Sequence, residues 1–84
     1  MEICFITFRS VTFAQRGEQV LKQGGYSCSL LRTPKWMESQ GCGYSIRIWT
    51  NEIREAMALL RKHKVMLRKL YIQQSDGNLE EMIL

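Results

Sequence analysis

The stretch YSIRIWTNEIREAMALLRKHKVMLRKLYIQ, residues 44–73, decides the fold of this chain. In its middle, apolar residues recur at the spacing of one helix face: Ile53, Ala56, Met57 and Leu60. This spacing predicts that NEIREAMALLRKHK is a helix, capped by Thr50 or Asn51. On either side, alternating apolar residues predict strands over residues 44–49 and 65–73. The second half of the chain therefore has the order strand, helix, strand.

The first half repeats that order of elements. Residues 2–9, EICFITFR, are rich in β-branched and aromatic side chains and predict a first strand with apolar residues on both faces. Ser10 has the chemistry of a helix cap, and residues 11–23 predict a helix. Residues 26–32, YSCSLLR, alternate as a second strand. Pro34 then ends that strand, because proline has no amide hydrogen to donate to a ladder.

The order β-α-β-β-α-β predicts an α+β protein with a ferredoxin-like sandwich: a four-stranded antiparallel sheet with two helices on one face. We expect residues 1–73 to form a single domain and residues 74–84 to form a short C-terminal tail. A chain of 84 residues buries only roughly 60–65% of its unfolded surface. Because helices cover one face of the sheet and the first strand is apolar on both, a homodimer through the other face is expected.

Composition argues against several classes of function. No apolar run approaches the ~18 residues of a membrane span, and the N-terminus lacks the basic region of a signal peptide. We therefore expect a cytoplasmic protein with no membrane partner. The net charge of +4 is modest, and no aromatic-rich strand suited to base stacking is found, so a nucleic-acid partner is not expected. A single histidine and the lack of a CxxC pair predict neither a metal site nor a bound cofactor.

Three cysteines are candidates for chemistry. Cys4 and Cys28 lie inside predicted strands, where cysteine usually packs as a small hydrophobe. Cys42 stands between Gly41 and Gly43, just before the third strand. Two glycines remove side-chain cover and permit backbone dihedrals that aim amides at an anion. The alternative is that these glycines only shape a hairpin and the cysteine fills a small space.

The segment before this cysteine is long for a hairpin. Residues 33–43 form the connection, whereas hairpin loops usually have about 2–5 residues. Long loops in small domains often have a functional role. Arg32 and Lys35 supply positive charge across the loop, and Trp36 and Met37 either cover the thiol, contact a partner or fold back on the sheet.

Four quoted segments together resemble a known family: ITF in the first strand, LLRTPK after the second, GCGYSIRI at the third, and EIREAMALL in the second helix. The chain resembles the small bacterial proteins described as selenium/sulfur carrier-like, over about residues 3–72. The pair TPK and CG is the most distinctive part. The resemblance implies that Cys42 is the carrier thiol, that Gly43 shapes its setting, and that Pro34 and Lys35 form the facing side of the loop.

Two hypotheses of different classes follow. In the first, the loop cysteine holds a persulfide or selenide that a donor, such as a cysteine desulfurase, delivers and an acceptor enzyme removes. In the second, the chain is a non-enzymatic protein-interaction or small-molecule-binding module, and the cysteine is incidental. Contact area would then come from aromatic residues: Trp36, Tyr44, Trp49 and Tyr71. Both hypotheses predict a carrier or binding protein rather than a true enzyme.

Overall fold

The computed structural model describes residues 2–32 and 43–82 of the chain. Within these ranges the chain forms two helices and five strands. In chain order they are β1 Glu2–Phe8, α1 Val11–Gln23, β2 Ser27–Arg32, β3 Tyr44–Thr50, α2 Ile53–Lys62, β4 Lys69–Gln73 and β5 Leu79–Met82. Neither of these two helices has the length and apolar character that a membrane crossing needs.

The five strands form one antiparallel sheet in the order β2-β3-β1-β4-β5. Strand β3 therefore lies between β1 and β2, which α1 connects along the chain. Strand β1 in turn lies between β3 and β4, which α2 connects. The α+β class and the antiparallel sheet are confirmed, whereas the predicted count of four strands is wrong. The ferredoxin-like arrangement stays a prediction, because the fifth strand departs from its four-stranded pattern.

The fifth strand lies in the segment that the sequence placed in a C-terminal tail. Gly77 has φ 89°, which glycine adopts without strain and which permits the turn after β4. The backbone N–H of Asn78 donates to Oδ1 of Asp76 at 3.0 Å and stabilises that turn. The chain then returns beside β4. Glu80 and Glu81 interrupt the apolar alternation, so the pattern did not indicate a strand here.

One face of the sheet packs against both helices. On this face, Cys4 and Ile6 of β1 lie opposite Ile48 and Ile46 of β3, and all four side chains are buried. The helices complete the same apolar core with Ala14 and Leu21 of α1 and with Ile53, Ala56, Met57 and Leu60 of α2. Because one core contains residues of both helices, both lie on the same face of the sheet.

The two helices begin differently. Ser10 caps α1 as predicted, since the backbone N–H of Phe13 donates to its Oγ at 3.2 Å. The prediction for α2 is wrong, because its cap residue is Glu52 and no side chain caps it. Thr50 is still part of β3, and its Oγ1 accepts a hydrogen bond from the backbone N–H of Glu52 at 2.8 Å. The hydroxyl thus stabilises the turn before the helix rather than the helix itself.

Strand β4 begins later than the sequence predicts. Val65 is buried in the core, and its backbone N–H donates to the carbonyl of Leu60 at 3.0 Å. That hydrogen bond closes the end of α2 instead of joining a ladder. Lys64 has φ 58°, which is left-handed, and so the chain turns there. The backbone N–H of Arg68 then donates to the carbonyl of Thr7 at 2.7 Å, where contact with β1 starts.

Candidate functional site

Four strand ends meet at one end of the sheet, which we name the loop end and define by Phe8, Arg32, Tyr44 and Lys69. Phe8 pairs with Tyr44, and Tyr44 pairs with Arg32. The C-terminal ends of β1 and β2 therefore lie beside the N-terminal end of β3. Thr7 pairs with Lys69, which places the start of β4 at the same end. Residues 33–42 connect β2 to β3 here and are outside the described residues.

The chain enters β3 at the loop end through Gly43, which directly follows Cys42 in the sequence. Gly43 is buried. Arg32, exposed at the end of β2, lies over the neighbouring aromatic ring, with its guanidinium carbon 6.0 Å from the ring centroid of Tyr44. This distance is at the outer limit of a cation–π contact. A permanently charged guanidinium therefore lies beside the start of β3.

A pocket of about 420 Å³ opens at the loop end. Its lining combines apolar side chains with two arginines: Arg9, Phe13, Met66, Leu67 and Arg68. Arg9 directly follows β1, and Arg68 directly precedes β4, so the antiparallel pairing of these strands brings the two arginines together. Apolar walls with two guanidinium groups suit a ligand or partner segment that has an apolar part and a negative charge.

A second pocket, of about 340 Å³, lies at the opposite end of the sheet. There β2 begins at Ser27 and β3 ends at Thr50, and the carboxylate-bearing Glu52 is part of the lining. The length of β3 separates this pocket from Gly43. The two pockets therefore belong to different surfaces of the molecule.

Cys4 is a residue of β1, and its side chain is fully buried in the core between the sheet and the helices. Burial, with a smaller contribution from the negative charge of Glu2, raises the pKa of its thiol from 9.0 to about 11. At neutral pH this thiol is protonated and out of reach of solvent. It is therefore a poor nucleophile, in agreement with its predicted role as a core residue.

Cys28 is half-buried in β2. Its Sγ donates a weak hydrogen bond to the carbonyl oxygen of Glu18 at 3.9 Å. Burial first, and the charge of Glu18 second, raise the pKa of this thiol, and nearby Lys22 only partly opposes the shift. The Glu18 carboxylate also accepts a hydrogen bond from the backbone N–H of Leu30 at 3.0 Å, which holds the carboxylate beside β2. Cys28 therefore has less thiolate at neutral pH than an ordinary cysteine.

The predicted site residues divide into two groups. Arg32 and Gly43 are described, and both lie at the loop end, at the end of β2 and the start of β3. The others are outside the described residues, and their roles stay predictions: Cys42, Gly41, Pro34, Lys35 and Trp36. Among residues 2–32 and 43–82, no group of three or more His, Cys, Asp or Glu side chains is arranged to hold a metal ion.

A model of a protein family described as "Putative Se/S carrier protein-like" matches residues 3–72 of the chain. The chain belongs to this Se/S carrier-like family. A comparison with curated proteins gave no match. The matched region begins in β1 and ends in β4, so it includes both helices, both described cysteines and the strand ends that form the loop end.

In this Se/S carrier-like protein, sequence reasoning named Tyr44 as contact area but missed two other residues of the loop end. Arg9 and Arg68 line its pocket. A residue just after one strand and a residue just before its antiparallel neighbour lie at the same end of a sheet. The sequence could therefore have predicted that the two arginines are neighbours, but only if the first and fourth strands were known to pair.

Proposed function

We propose that the chain carries sulfur or selenium as a persulfide or selenide on Cys42. The observation that carries the proposal is the contrast between the cysteines. Cys4 and Cys28 both have a raised pKa because they are buried or half-buried. Cys42 instead directly precedes Gly43, at the end of the sheet where Arg32 is exposed. Membership of the Se/S carrier-like family agrees with this assignment.

The transfer is a thiol–disulfide type of exchange. The Cys42 thiolate attacks the outer sulfur of a donor persulfide, R–S–SH. A new S–S bond forms while the donor's S–S bond breaks, and the donor leaves as the thiolate R–S⁻. No external oxidant or reductant is required, because the outer sulfur only changes its partner. With selenium as the outer atom, the product on the carrier is Cys–S–SeH.

Positive charge would favour this chemistry. A thiolate is the reactive form of cysteine, and nearby cations lower a thiol's pKa and so raise the thiolate fraction. Arg32 and Lys35 are proposed to supply that charge, and Arg32 is exposed at the loop end. Gly41 and Gly43 leave the thiol open to a donor's sulfur. Pro34 and Lys35 are proposed to form the facing side of the loop, and Trp36 to cover the thiol or contact a partner.

The partners that this chemistry requires are a donor that bears a persulfide, such as a cysteine desulfurase, and an acceptor enzyme with its own nucleophilic thiol or substrate. The chain itself would need no bound cofactor, since the thiolate is the only reacting group. Binding to each partner must be transient, because a carrier has to leave one protein before it meets the next.

The test uses a small-molecule persulfide donor and mass spectrometry of the intact protein and its peptides. We expect a mass gain of one sulfur atom on the peptide that contains Cys42. A Cys42→Ser variant should lose this gain, and a Cys28→Ser variant is the matched control that should keep it. Sulfur found on Cys28, or no stable gain on any cysteine, would count decisively against the proposal.

A second candidate is a small-molecule or protein-binding module with an incidental cysteine. The observation that favours it is the pocket at the loop end, whose apolar walls and two arginines could bind an amphipathic anion without any thiol. Under this reading, a Cys42→Ser variant keeps full function in cells that lack the native protein. Under the carrier proposal, that variant loses function.

We also retain the homodimer as a proposal. The sheet face opposite the helices carries half-buried apolar side chains on its central strands, namely Ile3 and Phe5 of β1 and Trp49 of β3. A second copy could bury them. Sedimentation velocity over a range of concentrations should show a dimer that a Phe5→Lys variant abolishes, and a monomer at every concentration would refute it.

A further inference from the structure

Positive charge is concentrated at the loop end of the molecule. The strand ends there contribute Arg9, Arg32, Arg68 and Lys69. The two helices are antiparallel, since α1 begins and α2 ends at this end, and they add Arg16, Arg61, Lys62 and Lys64. Arg16 of α1 lies next to the end of α2, because its guanidinium donates a hydrogen bond to the carbonyl of His63 at 3.2 Å. Eight of the twelve Lys and Arg residues of the chain therefore lie at one end.

Four of the chain's eight Asp and Glu residues lie at the opposite end, whereas Glu81 of β5 forms an ion pair with Lys69 at 3.5 Å. Glu2 begins β1, Glu52 and Glu55 lie at the start of α2, and Asp76 lies in the turn after β4. All four are exposed. In contrast, residues 8–17 and 61–70 contain no Asp or Glu. The molecule thus has a positive end and a negative end.

Helix stability explains only a part of this separation. Cations in the last turn of a helix interact favourably with its dipole, which accounts for Arg61 and Lys62 in α2. The same effect gives no reason for Arg9, Arg32 or Arg68, because they lie at strand ends. Clustered like charges also repel one another, and this repulsion destabilises a compact state.

The same end also exposes apolar side chains. Val11 is 37% exposed and Met66 is 72% exposed, and among residues 2–32 and 43–82 they are the large apolar side chains that solvent reaches most. Val11 begins α1 at the loop end, and Met66 lines the pocket itself. Arginine and methionine are both enriched at the centres of protein–protein interfaces.

We propose that the loop end is the docking surface for a protein partner whose own surface is acidic and presents an apolar side chain. The apolar side chain enters the pocket lined by Phe13, Met66 and Leu67, and the partner's carboxylates pair with the surrounding arginines and lysines. This inference rests on the proposed carrier function, since the partner is the protein that delivers or removes the chalcogen. Docking here places that partner at the strand that Cys42 precedes.

A protein partner fits these observations better than a nucleic acid does. Single-stranded nucleic acids are bound by charge together with exposed aromatic rings on which bases stack. Among the described residues of the loop end, Phe8 is buried, Phe13 is half-buried and Tyr44 lies under Arg32, so none of these three rings is fully open to a base. The large apolar side chains that are exposed in the described part are aliphatic. Clustered charge speeds association and makes it sensitive to salt, which suits a carrier that must meet and leave its partners.

The experiment uses a short fluorescent peptide of glutamates with one central leucine as the probe, and fluorescence anisotropy as the readout. We expect the double variant Arg9→Glu with Lys62→Glu to weaken binding at least about tenfold. The matched control is Lys22→Glu with Arg54→Glu, which changes the net charge equally at exposed positions away from the loop end and should alter binding less than about twofold. Replacing the peptide's leucine by serine, or Met66 by serine, should also weaken binding.

Three results would overturn the docking surface: no binding of the peptide at low salt, equal effects of the two double variants, or tighter binding of a single-stranded RNA of the same charge. Loading of Cys42 from a small-molecule persulfide is measured on the same variants. If loading persists while peptide binding is absent, the docking surface fails and the carrier function stands. If the peptide binds as expected but no cysteine is loaded, the carrier function fails.

Discussion

Gly17, in the middle of α1, lies against the ring of Phe8 at the end of β1: a Cβ atom at this glycine would be only 3.1 Å from Cζ of the phenylalanine. The same atom would lie 3.2 Å from Cδ1 of Ile46. Both neighbours are fully buried, Phe8 at 1% exposure and Ile46 at 0%. The missing side chain therefore sets how closely α1 approaches the sheet, and with it the position of the helix start at the loop end.

Replacing this glycine by alanine tests the close approach. On an exposed helix, a Gly→Ala change stabilises by about 1 kcal/mol. At Gly17 we expect the reverse, a loss of about 1–2 kcal/mol, because the added methyl group would press on two buried side chains and overpacking a core is destabilising. Urea unfolding of Gly17→Ala measures the change, and Gln15→Ala on the exposed side of α1 is the control that should lose nothing. If Gly17→Ala is instead more stable than the wild type, Phe8 and Ile46 do accommodate the methyl group and this prediction is wrong.

The sequence shows Gly17 only as a residue of low helix propensity, because periodicity cannot show what packs against a given position. It did predict both helices and four of the strands, since these have strong apolar patterns or clear caps. The sequence missed β5 because two glutamates interrupt its apolar alternation. It wrongly assigned residues 65–68 to the fourth strand because Val65 is apolar, although Val65 is buried in the core outside any strand. Local patterns do not distinguish these cases.

The loop end could be predicted only in part. Arg32 is the last residue of the predicted second strand and of β2, so its position at this end could be read from the sequence, while its role in the site stays a prediction. The accumulation of cations from five separate segments depends on which strand ends and helix ends are neighbours in space. That information comes from the antiparallel pairing of β1 with both β3 and β4, which no single segment of the sequence contains.

A second prediction concerns the link between β1 and the late start of β4. Thr7 is buried at 2% exposure, and its Oγ1 accepts a hydrogen bond from the backbone N–H of Lys69 at 3.0 Å. Thr7→Val keeps the volume but leaves that N–H without its acceptor, which typically costs about 1–3 kcal/mol. Thermal unfolding should show a lowered Tm. Thr12→Val, at an exposed position of α1, is the control, and an equal loss there would show that the effect does not come from the hydrogen bond.

A third prediction orders the thiols by their rate of alkylation. With iodoacetamide at neutral pH, Cys42 should react first, Cys28 much more slowly and Cys4 only after unfolding. Cys28 is slow because burial raises its pKa, and Cys4 is slow because it has no exposed surface. Peptide mapping at successive times gives the three rates. If urea leaves the ratio of the three rates unchanged, the native environment does not control reactivity and this prediction is wrong.

The last prediction is an alkaline loss of stability caused by Cys4. Its pKa is raised from 9.0 to about 11 in the native state because the thiol is buried. Below the unfolded pKa, the thiol is protonated in both states and its contribution to stability is complete. Between these two values the unfolded chain releases the proton while the native chain keeps it, so the free energy of unfolding falls as pH rises, by at most about 3 kcal/mol. Urea unfolding from about pH 8 to about pH 10.5 should therefore show that the difference in free energy of unfolding between the wild type and Cys4→Ala becomes smaller. The Cys42→Ala variant is the control, because it retains Cys4 and should fall in parallel with the wild type. A gap between wild type and Cys4→Ala that stays constant across this range would mean that the buried thiol does not resist ionisation.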